Sequence, residues 1–119
     1  MSGTAAPGAR GEELALAYLR RLGYTLVERN YRTRRGEIDL ILKDGATLVF
    51  VEVKLRRGAG FGEPVEAVTP AKRRRLRLAA DQYLAERSPV CEEVRFDVVG
   101  ILAPRGGGLR IRHVREAFF

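Results

Sequence analysis

Gly36-Glu37-Ile38-Asp39-Leu40-Ile41 and, a short turn later, Phe50-Val51-Glu52-Val53-Lys54 are the two runs on which the reading of this chain rests. Both have the continuous Val, Ile, Leu and Phe content of strands buried in a sheet. Buried strands rarely tolerate several charges, yet Asp39, Glu52 and Lys54 interrupt these runs. A buried charge is costly unless a partner or a metal compensates it. The charges therefore point to a site rather than to a solvated surface.

Asp44-Gly45 between the runs is a two-residue hairpin signal. With those residues as the loop, Lys43 faces Ala46, Ile41 faces Leu48, Asp39 faces Phe50 and Glu37 faces Glu52. Alternation then places Glu37, Asp39, Glu52 and Lys54 on one face. Ile38, Leu40, Leu42, Val49, Val51 and Val53 take the other, which must be core. Asp39 and Glu52 become diagonal neighbours, with β-carbons about 7 Å apart. Two carboxylates at that spacing suit a hard cation such as Mg²⁺ or Mn²⁺.

The chain has 119 residues, enough for one domain with a real core. No apolar run approaches a membrane span, so no membrane partner is expected. The first residues lack a secretion signal, which predicts a cytoplasmic protein. Cys91 stands alone, so neither an internal disulfide nor a cysteine-rich zinc site is available. The net charge is +7, and 19 of the 22 basic residues are arginines. Genome composition can account for the arginine-to-lysine ratio but not for the net positive excess. Arginine binds phosphate bidentately, so nucleic acid is the leading partner.

Residues 1–8 are small and read as a disordered lead, with a single domain over 9–119. A first helix is expected from about Arg10 to Leu22, stopped by Gly23. Its core stripe is Ala15, Tyr18, Leu19 and Leu22, and Glu12 lies on that stripe near the helix start. Strands follow at Tyr24–Tyr31 and in the two opening runs. Leu55–Val68, with Gly58, Gly60 and Gly62, is expected to be a mobile flap with Arg56 and Arg57 at its base. Thr69-Pro70 starts a second helix reaching Arg87. Lys72, Arg73, Arg74, Arg75 and Arg77 crowd its first two turns, as a solvated face or as phosphate contacts. Val94–Leu102 and Leu109–Val114 complete the strands. The fold class is α/β with a central mixed sheet.

Asp39 and Glu52, aided by the Val53 carbonyl, form the expected Mg²⁺ or Mn²⁺ site. Lys54 would position a water or offset transition-state charge. Glu12 completes the metal shell or orients the water. Glu37 is a further ligand or pairs with Arg34 or Arg35. His113, in a terminal strand without an obvious partner, is left out of the site. The spacing of Asp39…Glu52-Val53-Lys54 resembles the core of the PD-(D/E)xK nuclease superfamily, with Ile38 in place of its proline. That resemblance implies a restriction-endonuclease-like α-β-β-β-α-β core with an extra C-terminal strand.

Residues 11–119 resemble the YraN family of small bacterial proteins. The resemblance is carried by Gly11-Glu12…Ala15…Tyr18-Leu19, the two opening runs, Arg56 and Arg95-Phe96-Asp97-Val98-Val99. That family is similar to archaeal Holliday-junction resolvases, which are Mg²⁺-dependent homodimers. The resemblance implies metal ligation by Glu12, Asp39 and Glu52, with Lys54 catalytic. A metal-dependent DNA endonuclease acting on branched or recombination intermediates is the first reading. A homodimer, with Phe118-Phe119 either at its interface or closing the core, fits it. The alternative is a non-catalytic nucleic-acid-binding or accessory module serving a helicase or other repair protein. RNA remains open as the ligand.

Overall fold

The computed structural model describes residues 7–58 and 62–119. Its elements are α1 (Pro7–Arg21), β1 (Thr25–Arg32), β2 (Glu37–Asp44), β3 (Thr47–Arg57), α2 (Pro70–Arg87), β4 (Glu93–Ala103) and β5 (Arg110–Val114). The strands form one sheet in the order β1-β2-β3-β4-β5. Only β3 and β4 run parallel; the other neighbours are antiparallel. The α2 crossover supplies the connection that a parallel pair requires. This is the expected α/β mixed sheet, consistent with a restriction-endonuclease-like core plus a fifth strand.

Helix α1 starts at Pro7, earlier than the expected Arg10, so only residues 1–6 of the expected lead lie outside the described residues. It ends where glycine is required: Gly23 takes φ +95°. The Tyr24 and Gly23 amides then bond back to Leu19 (3.1 Å) and Arg20 (3.0 Å), the pairing of a Schellman stop. Thr69 caps α2 by accepting the Lys72 amide at 3.2 Å, and Pro70 occupies the first turn as expected.

The sheet is buried on both faces, which explains the nearly unbroken apolar runs. One core packs Leu40, Leu42, Val49 and Val51 with Ala15, Leu16 and Leu19 of α1. The other packs Ile41, Leu48 and Phe50 with Leu76, Ala79, Ala80 and Tyr83 of α2. Leu22, expected in the α1 stripe, is exposed.

Two expectations about the hairpin need correction. Asp44 pairs with Thr47 and Leu40 with Val51, so the loop is Gly45-Ala46 and the register differs by two residues. Gly45, at φ +63°, occupies the first loop position, where a two-residue hairpin can require glycine. An even shift keeps the faces but places Asp39 opposite Glu52 when the register is continued, rather than diagonal to it. The second correction is Ile38, which joins the α2 core rather than the α1 core. Alternation breaks here in both strands. Asn30, which the register sets opposite Asp39, is left-handed at φ +54°. On either side of it, Arg29 pairs with Glu13 of α1 and Tyr31 donates to Glu86 of α2. Asp39 therefore sits where the sheet changes face.

The glycine-rich flap is shorter than expected. β3 continues through Arg57, and residues 64–67 form a turn of 3₁₀ helix. Gly60 lies outside the described residues.

Candidate functional site

The central strand β3 brings Glu52, Lys54 and Arg56 to one face by alternation, and Val53, Leu55 and Arg57 to the other. Glu52 and Lys54 form an ion pair at 3.2 Å with side chains only 13% and 12% exposed. Asp39, at the break in β2, accepts the Val53 amide at 2.7 Å. That bond replaces a strand-to-strand bond just beyond Leu40 and ties the carboxylate to the backbone between Glu52 and Lys54.

Glu52 is the charged neighbour that acts most strongly on the Asp39 carboxyl. Burial first, then the charge of Glu52, lifts the Asp39 carboxyl to about 8, against the opposing pull of the Val53 amide. Two like charges at one desolvated place cannot both ionise freely. This donor set fits a hard divalent cation, whose charge would take the place of the Asp39 proton. Glu12 contributes to the same field from α1. Burial raises its own carboxyl, while the Asn30 side chain and Arg29 act the other way. Among the described residues, no three His, Cys, Asp or Glu side chains already form a metal cage. Asp39 and Glu52 are thus a preformed pair, and Glu12 is a neighbour rather than an established third ligand.

A cleft of about 560 Å³ reaches Glu52 of this pair and is lined by residues 32–37, Glu52, Lys72, Arg75 and Leu76; Asp39 does not line it. The N-terminal turn of α2 holds Lys72 against Lys54. Hydrogen bonding with Lys54, then burial, then the Lys54 charge lowers the Lys72 amine.

The remaining basic residues separate by helix geometry. Arg73 donates to the Val68 carbonyl and lies 5.1 Å from the Phe118 ring centroid. Arg77 covers Phe119 at the same distance and pairs with Asp81 at 3.7 Å. These two serve the C-terminal aromatics, and Phe118 packs against the α2 core. Arg74 is exposed and does not line the cleft. Arg56 and Arg57 belong to β3 and not to a flap; Arg57 lines a separate cleft with Arg10 and Leu14. Glu37 is exposed and pairs with Arg32 at 3.3 Å, rather than with Arg34 or Arg35.

His113 has the partner that the sequence did not reveal. Its Nε2 lies 2.7 Å from the buried Asp97 carboxylate, and its Nδ1 lies 3.1 Å from the Tyr18 hydroxyl. Arg95 donates to Asp97 at 2.9 and 3.2 Å and to Tyr24 at 2.7 Å. Burial alone would raise Asp97, but hydrogen bonds from His113 and Arg95 and the Arg95 charge hold it below its usual value. This satisfied network joins β4, β5 and α1. The turn that lines the cleft was also missed, although Arg32-Thr33-Arg34-Arg35 immediately precedes Gly36.

Among the described residues, no helix is long and apolar enough to cross a membrane. A UPF0102 protein of Rhodococcus opacus is 52% identical over 118 residues, covering 99% of this chain and 100% of the relative. One from Geobacter sulfurreducens is 49% identical over 111 residues, covering 93% and 87% respectively. One from Clavibacter michiganensis is 52% identical over 110 residues, covering 92% and 93%. The model of the family described as "Uncharacterised protein family UPF0102" matches residues 11–101. From the matched core and these nearly full-length likenesses, the chain belongs to the UPF0102 family.

Proposed function

We propose that this protein is a divalent-metal-dependent endonuclease that hydrolyses DNA phosphodiesters, with branched or recombination structures as its substrates. The observation that carries the reading is the desolvated Asp39–Glu52 pair, with Lys54 beside Glu52 at 3.2 Å. A site that only held phosphate would have no use for a desolvated acidic pair, whereas a hard divalent cation needs such oxygen donors.

Asp39 and Glu52, with the Val53 carbonyl, would hold Mg²⁺ or Mn²⁺, and Glu12 would complete the shell or orient water. When bound, the cation supplies polarisation of a phosphate oxygen and a lowered pKa for its water. Lys54, paired with Glu52, would offset charge that grows on the phosphate oxygens. Lys72 and Arg75 bind the flanking phosphates from the cleft wall.

Asp39→Asn and Lys54→Ala test this division of labour. Each should lose turnover by at least about 100-fold, the scale for removing one electrostatic catalytic group, while keeping affinity for DNA. Loss of affinity in parallel with turnover would contradict it.

The second reading, a non-catalytic nucleic-acid-binding or accessory module, is favoured by one observation: the absence of a three-ligand cage among the described residues. It predicts salt-dependent binding that is indifferent to divalent cations.

A further inference from the structure

The cleft has a second basic wall. Next to Lys72 and Arg75, the β1–β2 turn contributes Thr33, Arg34, Arg35 and Gly36 to the lining. This turn is locked. The Thr33 amide donates to the Gly36 carbonyl at 2.8 Å. The Thr33 hydroxyl oxygen accepts from the Arg35 and Gly36 amides at 3.0 Å each, and the hydroxyl donates to the Gly36 carbonyl at 3.0 Å.

Gly36 fixes the turn onto α2. A β-carbon there would lie 2.4 Å from the Arg75 carbonyl oxygen, so only glycine permits this approach. The turn thereby sets Arg34 and Arg35 at the cleft mouth, both exposed. Neither forms an ion pair among the described residues, whereas Arg29, Arg32, Arg77, Arg87, Arg95 and Arg112 do. Two unpaired guanidinium groups on a rigid turn, docked beside a basic helix and lining the same cleft as Glu52, have the composition of a phosphate clamp.

We propose that the β1–β2 turn is a preformed clamp, in which Arg34 and Arg35 hold backbone phosphates of the DNA strand lying in the cleft. The proposal rests on the reading of the cleft as a nucleic-acid site, and it assigns the wall that the turn adds beside α2. The strand is held by the turn and the helix together, so its scissile phosphate is directed toward Glu52 in the same cleft. Arg34 and Arg35 act as positioning residues, without contact with the reacting atoms.

The test is fluorescence anisotropy with a labelled DNA duplex carrying a single-stranded tail. Ca²⁺ replaces Mg²⁺, so that the carboxylates are compensated while turnover is suppressed. Wild type is compared with Arg34→Ala/Arg35→Ala, with Thr33→Val, and with Arg20→Ala/Arg21→Ala at the far end of α1. The Arg34/Arg35 variant should bind about 10-fold or more weakly, and its salt slope should fall by about 1.4–1.8, the loss of two phosphate contacts. Thr33→Val keeps both charges, so its slope should match wild type while its affinity falls about threefold through lost preorganisation.

An Arg34/Arg35 variant no weaker than the Arg20/Arg21 control overturns the clamp and leaves the nucleic-acid reading standing. Unchanged affinity in Thr33→Val overturns its preformed character. If wild type binds no DNA, the nucleic-acid reading and the clamp fail together.

Discussion

Asp39→Asn should make the metal-free protein more stable at pH 8, although it removes a residue placed at the centre of the site. Asparagine can still accept the Val53 amide, a bond of 2.7 Å in the structure, and Glu52 keeps Lys54 at 3.2 Å. What disappears is a desolvated carboxyl raised from 3.8 to about 8. The folded protein keeps that proton from about pH 4 to pH 8, whereas the unfolded chain has already released it. Stability therefore falls across this window as pH rises. A tenfold change in proton affinity is worth about 1.4 kcal/mol, so the full shift is on the order of 5 kcal/mol at pH 8. Because Glu52 shares the repulsion, we expect the substitution to recover about 2–3 kcal/mol. For a chain of this size that is roughly a 5–15 °C rise in Tm. Thermal unfolding in a chelator at pH 5 and pH 8 measures it. The gain should be several-fold smaller at pH 5. A variant less stable than wild type at pH 8, or an equal gain at both pH values, would refute the reasoning.

Mg²⁺ or Mn²⁺ should raise the Tm of wild type at pH 8, release protons on binding, and leave Asp39→Asn unmoved; calorimetry in buffers of different ionisation enthalpy measures both effects. Asp97→Asn should cost about 3–5 kcal/mol in denaturant unfolding, because it leaves Arg95 without its buried charge partner. Asp97 is held below its usual value, so its stabilisation is present above about pH 4 and is lost as the solution is acidified further. In an acid titration, wild type should therefore lose more stability below pH 4 than Asp97→Asn does. Gly36→Ala should destabilise the fold by about 1–3 kcal/mol through the clash with the Arg75 carbonyl; denaturant unfolding equal to wild type would mean the turn can move away.

Much of the fold was legible because local signals agreed with tertiary packing. Thr69-Pro70, Gly23 and the apolar runs each act within a few residues, and the structure uses them as read. The hairpin register was not legible to the residue. Asp44-Gly45 and Gly45-Ala46 both give two-residue loops, and an even shift leaves every face unchanged, so face burial could not choose between them. Ile38 was misplaced because strict alternation cannot anticipate the left-handed Asn30 opposite Asp39. The charged core of the site was visible as charge within apolar strands. His113 was not: its partner Asp97 is in a neighbouring strand, and the Tyr18 and Arg95 contacts exist only after α1 docks. Similarly, the arginines of α2 are contiguous in sequence, but helix geometry directs Arg75 to the cleft and Arg73 and Arg77 to the C-terminal rings.

The measurement that bears most directly on the central claim is cleavage of labelled four-way-junction, flap and linear duplex DNA in Mg²⁺ or Mn²⁺, by wild type and by Glu52→Ala. The account predicts metal-dependent cutting by wild type, strongest on a branched substrate and absent in Glu52→Ala. Tight binding by both proteins with no metal-dependent cutting of any substrate would contradict it.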